Sequence, residues 1–197
     1  MTPPLAVFLK APRLGAVKSR LAAEIGERHA LRLYRVLAAR TLSAVRTAGL
    51  EAIVWFAPPD ALKEMQFWLG ESWEFRPQVT GDLGARLAAA AHAVPRGHPW
   101  IAIAADCPGL TAALLRDGCA HLDRAGLVIG PCHDGGYYLL GGRTPLPDLF
   151  TSIPWGTERV LAETRARLTR ISAAWHELPP LRDVDTADDA RAEGLLS

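Results

Sequence analysis

The sequence has few of the features that mark exported, membrane-bound or zinc-finger proteins. Its three cysteines, Cys107, Cys119 and Cys132, are an odd number without CxxC spacing, which argues against a disulfide framework and a zinc knuckle. The apolar run that precedes Lys10 spans only about five residues, which is too short for a signal peptide or a membrane-spanning helix. We therefore expect a cytoplasmic protein with reduced thiols and no membrane partner.

The sequence also lacks a strong excess of one charge. The formal net charge of its 197 residues is +1, and 22% of them are charged, so nothing favours nucleic acid as a partner. Lysine and arginine nevertheless dominate the first 46 residues, and aspartate dominates the stretch from Asp183. This polarity suits a site in which cations hold phosphate and acids hold a metal ion, although solvated helix surfaces explain many of the arginines equally well.

Apolar runs and amphipathic segments alternate along the chain. Their alternation predicts an α/β fold with a mostly parallel sheet between two helical layers, and the length suits one domain over residues 1–197. The predicted strands cover 5–9, 51–57, 73–76, 100–105, 127–131, a run from Tyr137, and 172–176. The predicted helices cover 27–47, 61–69, 82–94, 110–122 and 158–168, with a terminal turn in the acidic tail.

Four unusual segments follow predicted strands: 10–20, 81–84, Asp106 and 134–136. Open sheets of this kind bind ligands beyond the carboxyl ends of their strands. We therefore expect all four segments to meet at one edge of the sheet.

The first segment is a cationic loop. Gly15 permits a backbone conformation closed to other residues, while Lys10, Lys18 and Arg20 carry charge towards the start of a helix, where phosphate oxygens bind favourably. The loop has neither the GxxxxGK[ST] nor the GxGxxG pattern. Its composition leaves open both phosphate binding and a plain basic surface loop.

Asp106 is predicted at the tip of a buried strand, where its desolvation must be offset by a cation or by hydrogen bonds. Mg²⁺ is a suitable partner, since it needs only one or two protein carboxylates. The alternative is that Asp106 caps the following helix, for which Thr111 is the better candidate. We therefore favour a functional role.

Two further segments carry candidate residues. In the segment from Asp134 to Tyr137, Gly135 and Gly136 let a ligand approach the main chain, although a plain turn explains the spacing as well. In the C-terminal segment, Asp183 and Asp185 lie on one side of an extended chain and can both reach a metal ion. Thr186 and Asp189 fit a helix capping box instead.

Six segments carry a family resemblance, in order and over nearly the whole chain. They are FLKAPRLGAVKSRL, QVTGDLGARL, AADCPGL, GPCHDGGYYLLG, PWGTERVL and LRDVDTADD. Together they resemble the DUF2064 family, which is similar to nucleotide-diphospho-sugar transferases of the GT-A fold. The family is also similar to nucleotidyltransferases related to 2-phospho-L-lactate guanylyltransferase and molybdenum-cofactor guanylyltransferase. The resemblance implies a Rossmann-like GT-A three-layer sandwich.

The resemblance also implies site residues. Those that match nucleotide-binding positions are Lys10, Lys18, Arg20, Gly81, Asp82 and Gly84. Those that match metal-binding positions are Asp106, Asp185 and Asp183. The chain departs from the pattern at Ala104, where a full DxD motif has an acid, so the metal geometry depends on the C-terminal acids.

Two chemistries fit such a site. In nucleotidyl transfer, a small phosphate- or phosphonate-bearing acceptor attacks a nucleoside triphosphate, and Lys18 with Mg²⁺ or Mn²⁺ on Asp106 stabilises the departing pyrophosphate. In glycosyl transfer, the same groups hold the diphosphate of a nucleotide sugar, and Asp134 is the candidate base near the acceptor. The dense charge of the first loop favours nucleotidyl transfer, whereas the usual family label favours glycosyl transfer. A non-catalytic nucleotide-binding protein is the third interpretation.

Overall fold

The computed structural model describes residues 4–95, 98–143 and 147–196. Its strands are β1 (Leu5–Lys10), β2 (Ala52–Ala57), β3 (Glu74–Pro77), β4 (Trp100–Ile103), β5 (Leu127–Pro131), β6 (Tyr137–Gly142) and β7 (His176–Glu177). Its helices are α1 (Ser19–Ile25), α2 (Glu27–Ala48), α3 (Leu62–Leu69), α4 (Leu83–His92), α5 (Ala112–Ala125), α6 (Pro147–Phe150), α7 (Val160–Arg170) and α8 (Ala187–Ala192).

The strands form one sheet in the order β3-β2-β1-β4-β6-β5-β7. Strand β6 is antiparallel to both of its neighbours, and the other strand pairs are parallel. In the central register Val7 lies opposite Val54 on one side and Ile103 on the other, and all three are buried. The predicted α/β fold with a mostly parallel sheet is therefore confirmed.

Both faces of the sheet are covered because side chains alternate along its strands. Leu5 and Val7 of β1 pack in the core cluster that contains residues of α2 and α5, whereas Ala6 packs with residues of α4 and α7. The arrangement is a three-layer sandwich. Among the described residues, no helix combines the length and the apolar character needed to cross a bilayer.

Helix α2 shows how the sequence pattern produces this packing. The predicted apolar face is buried, with Ala30, Leu37 and Val45 each at most 1% exposed. The helix ends where Gly49 takes a left-handed conformation at φ 70°. Tyr34 lies on the same face, and its hydroxyl accepts from the backbone N of Lys10 and donates to the Lys10 carbonyl at 2.7 and 2.8 Å.

Several elements differ from the sequence prediction, among them β4, α1 and β7. Strand β4 ends at Ile103 instead of residue 105, so Asp106 lies in the following loop. A separate helix α1 precedes α2, with Lys18 at its N-cap in a left-handed conformation, φ 48°. The last strand is limited to β7, because Ser172 has φ 51° and its amide closes the end of α7 on the Thr169 carbonyl.

Candidate active site

Backbone hydrogen bonds join the loops at the carboxyl edge of the sheet. The extended segment 181–185 lies along two of these loops, the one that follows β5 and the one that contains Asp106. The amide of Leu181 donates to the Pro131 carbonyl at 3.0 Å, the amide of His133 donates to the Leu181 carbonyl at 3.0 Å, and the amide of Val184 donates to the Asp106 carbonyl at 3.1 Å. These contacts bring acidic residues from remote parts of the chain to one edge.

The side chain of Lys18 is held between two of these acids. Its Nζ lies 2.9 Å from Oδ2 of Asp106 and 2.8 Å from Oδ1 of Asp185, and its side chain is 8% exposed. Burial lowers the pKa of the Lys18 ammonium, but the two carboxylates outweigh this effect and leave the pKa above its ordinary value. Lys18 is therefore a permanent cation that joins Asp106 to Asp185.

Two more carboxylates lie beside this ion-paired group. Burial raises the pKa of Asp183 to about 6, and the carboxylates of Asp134, Asp106 and Asp185 add to the increase. Ligand atoms of Asp183, Asp134 and Cys132 lie within 4.8 Å of one another. The predicted metal ligands are thus divided: Asp106 and Asp185 share Lys18, whereas Asp183 lies beside Asp134, the predicted candidate base.

The donor set fits a hard divalent cation. Carboxylate oxygens are the ligands that Mg²⁺ and Mn²⁺ accept, and the oxygens of Asp106 and Asp185 lie within two hydrogen-bond lengths of each other. The cations paired with this group in the described part of the chain are Lys18 and Arg20, whose Nη1 is 3.4 Å from Asp185. Four neighbouring carboxylates therefore leave negative charge for a metal ion to neutralise.

An open cleft of about 330 Å³ lies against this group. Its lining includes the predicted residues Lys10, Lys18, Arg20, Asp106 and Asp185, and it also includes Tyr34, Gln78 and Arg86. A second cleft of about 380 Å³ shares Lys10, Gln78 and Arg86 with the first. Pockets of a few hundred cubic ångströms are typical of small-ligand sites.

The predicted glycines and Asp82 do not line either cleft, so far as the described residues show. Gly15 and Gly81 have φ of 74° and 120°, which allows their turns. Asp82 caps α4, where its Oδ1 accepts from the Ala85 amide at 2.8 Å. A Cβ on Gly84 would overlap the Phe150 carbonyl, so this glycine allows α4 to pack closely against α6. Each of these residues has a structural role in shaping the edge.

The predicted acceptor segment forms a tight turn beside the acids. Oδ1 of Asp134 accepts from the Gly136 amide at 2.8 Å, and Gly135, at φ 88°, packs against the backbone of Glu158. Tyr137 stacks edge-on against Trp155 at 6.3 Å, and burial raises the pKa of its hydroxyl. Tyr137 also lines a small apolar cavity that shares three residues with the first cleft, namely Phe8, Leu83 and Ala104. The segment adjoins the cleft through this cavity.

Helix capping accounts for some acids and leaves others unexplained. Thr111 caps α5 by accepting from the Leu114 amide at 3.2 Å, so Asp106 has no capping role there. Thr186 and Asp189 form the predicted capping box of α8. The three predicted metal ligands, Asp106, Asp183 and Asp185, have no capping role in the described helices.

Three residues of the cleft were not anticipated from the sequence. Tyr34 looked like one more position on the buried face of α2. Gln78 follows a short edge strand and opens the family segment QVTGDLGARL, but no chemical feature of the sequence marks it as a site residue. Arg86 did carry a signal, because a cation in the first turn or so of α4 opposes the helix dipole and adds nothing to helix stability.

Similar proteins agree with this architecture. A protein from Desulfovibrio desulfuricans G20, provisionally named a nucleotide-diphospho-sugar transferase, has a TM-score of 0.92 at 30% identity, over 98% of this chain and 87% of that one. A nucleotidyl transferase from Methanothermobacter thermautotrophicus has a TM-score of 0.61 at 19% identity, over 96% and 95%. A Mycobacterium tuberculosis H37Rv protein in complex with manganese has a TM-score of 0.56 at 19% identity, over 99% and 98%. The last two show the fold alone.

Sequence comparison gives the family directly. No curated protein matches the chain. Residues 41–157 match the family described as an uncharacterized protein conserved in bacteria, DUF2064. This match covers more than half of the chain and agrees with the 30% identity to the Desulfovibrio protein. The chain therefore belongs to the DUF2064 family.

Proposed function

We propose that this protein is a metal-dependent transferase that moves a nucleotidyl group from a nucleoside triphosphate to a small phosphate- or phosphonate-bearing acceptor. The observation that carries the proposal is the ammonium of Lys18, buried between Asp106 and Asp185 in the cleft. Phosphoryl-transfer sites need fixed positive charge and positioning more than a covalent catalyst.

In this proposal the aspartates would hold the metal ion and the lysines would contact the phosphate. Asp106 and Asp185, with Asp183 beside them, would hold Mg²⁺ or Mn²⁺, which would neutralise phosphate charge. Lys10 and Lys18 would donate to the phosphate oxygens. Tyr34 supports Lys10 because its hydroxyl bonds both the amide and the carbonyl of that residue. This support fixes the backbone from which the Lys10 side chain extends.

Two of the similar structures support this proposal, and the third favours an alternative. One of them is named a nucleotidyl transferase, and another contains manganese. The Desulfovibrio protein, which is the more similar in sequence, carries a name that favours a second candidate function, transfer of a sugar from a nucleotide-diphospho-sugar. In that alternative Asp134 is the candidate general base.

Product analysis distinguishes the candidates. The protein would be incubated with each common nucleoside triphosphate, Mg²⁺ or Mn²⁺, and phosphoglycerate, phosphocholine or 2-aminoethylphosphonate as acceptor. Pyrophosphate release supports nucleotidyl transfer, whereas nucleoside diphosphate release from nucleotide sugars supports glycosyl transfer. Triphosphate binding that is independent of metal, without either product, would identify a nucleotide-binding protein and contradict the proposal.

The Asp106→Asn variant tests the role of the site in whichever reaction is found. Loss of this carboxylate should lower kcat about 100-fold or more, since the metal ion and Lys18 both lose a partner. Asp188→Asn is the matched control, because the side chain of Asp188 is 92% exposed on α8. Equal activity in the two variants would contradict the assignment of Asp106.

A further inference from the structure

Arg86 carries positive charge that the protein itself does not balance. In the described part of the chain, no carboxylate oxygen lies within 4.0 Å of its guanidinium nitrogens, and its Nε is buried without a hydrogen-bond partner. A buried donor without a partner is costly, and an acceptor that a ligand brings beside the guanidinium would reduce that cost.

Gln78 fixes the direction of the Arg86 side chain. The Gln78 amide nitrogen donates to the carbonyls of Leu9 and Trp55 at 3.1 and 2.8 Å, so the end of β1 and the end of β2 hold it. Its Oε1 is then free to accept from Nη1 of Arg86 at 3.1 Å. Nη1 of the guanidinium is therefore anchored, and Nη2 has no hydrogen bond to the described residues.

Lys10 adds a second uncompensated charge at the same place. Both Lys10 and Arg86 line both clefts, and neither has a carboxylate partner among the described residues. Lys18, in contrast, is already joined to two carboxylates. Among the described residues, the cleft cations without a carboxylate partner are thus Lys10 and Arg86, whereas the sequence pattern predicted Lys10, Lys18 and Arg20.

We propose that Arg86 is a further phosphate-binding residue, an oriented donor that forms one anion site with the Lys10 already assigned to the phosphate chain of the nucleotide. The inference rests on the proposed function for the identity of the ligand. A guanidinium presents parallel N–H groups that match phosphate oxygens, and Arg86 lies near the N-terminus of α4, where negative charge is favourable.

Calorimetric titration with inorganic tripolyphosphate, without divalent cations, tests the site. Arg86→Gln should raise the Kd about tenfold, the loss expected for one charge-assisted contact. Arg86→Lys should give a smaller rise, since it keeps the charge and loses the planar donors. Arg35→Gln removes the same charge from an exposed position of α2 and should leave the Kd unchanged. Equal Kd values for Arg86→Gln and the wild type would overturn the inference.

A second arm identifies the part of the nucleotide that Arg86 contacts. Arg86→Gln should weaken the binding of cytidine triphosphate and of tripolyphosphate by the same factor, and it should leave the binding of cytidine unchanged. A loss confined to the nucleoside would overturn the phosphate assignment. If Arg86→Gln fails to fold by circular dichroism, Lys10→Gln, at an exposed side chain, makes the same measurement. Because tripolyphosphate binding needs no turnover, the anion site and the proposed reaction can fail separately.

Discussion

The two ends of the cleft carry opposite charge and balance it in opposite ways. At the acidic end, where Asp106 and Asp185 line the cleft, Lys18 lies between these two carboxylates. At the cationic end, formed by Lys10 and Arg86, no described carboxylate balances the charge. The acidic end is therefore partly satisfied within the protein, whereas the cationic end depends on a ligand.

Removal of Lys18 should have the largest effect on this arrangement. Lys18→Met would leave Asp106 and Asp185 facing each other without their shared cation, so we expect a loss of about 3 kcal/mol in the free energy of unfolding. The kcat of Lys18→Met should also fall, because Lys18 is a proposed phosphate-binding residue. Denaturant unfolding, followed by circular dichroism, measures the stability.

A divalent cation should restore part of that stability. In Lys18→Met the carboxylate oxygens no longer bond an ammonium, so Mn²⁺ should raise Tm more in the variant than in the wild type. Arg40→Met, from an exposed position of α2, is the control for loss of charge. An equal Mn²⁺ response in all three proteins would mean that Lys18 and the metal do not use the same oxygens.

The sequence singled out the aspartates of the acidic end but neither Arg86 nor Gln78 of the cationic end, for a physical reason. Asp106 stood out because Thr111 is the better cap of the following helix, and Asp185 because it lies outside the capping box of Thr186 and Asp189. The cationic end depends on Arg86, whose only signal is a cation near the start of α4, and on the orientation that Gln78 imposes, which has no local pattern. Separation of 167 residues between Lys18 and Asp185 also hides their contact from any spacing argument.

The strand order also depends on contacts between distant residues, which local sequence patterns do not predict. Alternating apolar runs predicted the mostly parallel sheet, because buried strands and amphipathic helices have local periodicities. The insertion of β6 between β4 and β5 has no local pattern, since it is determined by pairing of residues far apart, such as Ile101 with Gly141. The C-terminal edge strand was similarly displaced by the turn at Ser172.

Loss of the Gln78 anchor should have an intermediate effect. Gln78→Leu would leave the buried carbonyls of Leu9 and Trp55 without their side-chain donor, at a cost of about 2 kcal/mol. It would also release Arg86 and weaken tripolyphosphate binding. Gln66→Leu, a partly buried position on α3, is the matched control. Unchanged tripolyphosphate affinity in a folded Gln78→Leu protein would show that Arg86 does not need this orientation.

Removal of Arg20 should have the smallest effect, although the sequence pattern gave it the same role as Lys10. Its side chain is 70% exposed, and its contact with Asp185 is 3.4 Å long. Exposed pairs of this kind contribute at most about 1 kcal/mol and are screened by salt. Arg20→Ala should therefore change stability little and should raise the tripolyphosphate Kd less than Arg86→Gln does. At high salt the Kd of Arg20→Ala should equal that of the wild type. A loss as large as that of Arg86→Gln and independent of salt would place the anion site at α1 instead of α4.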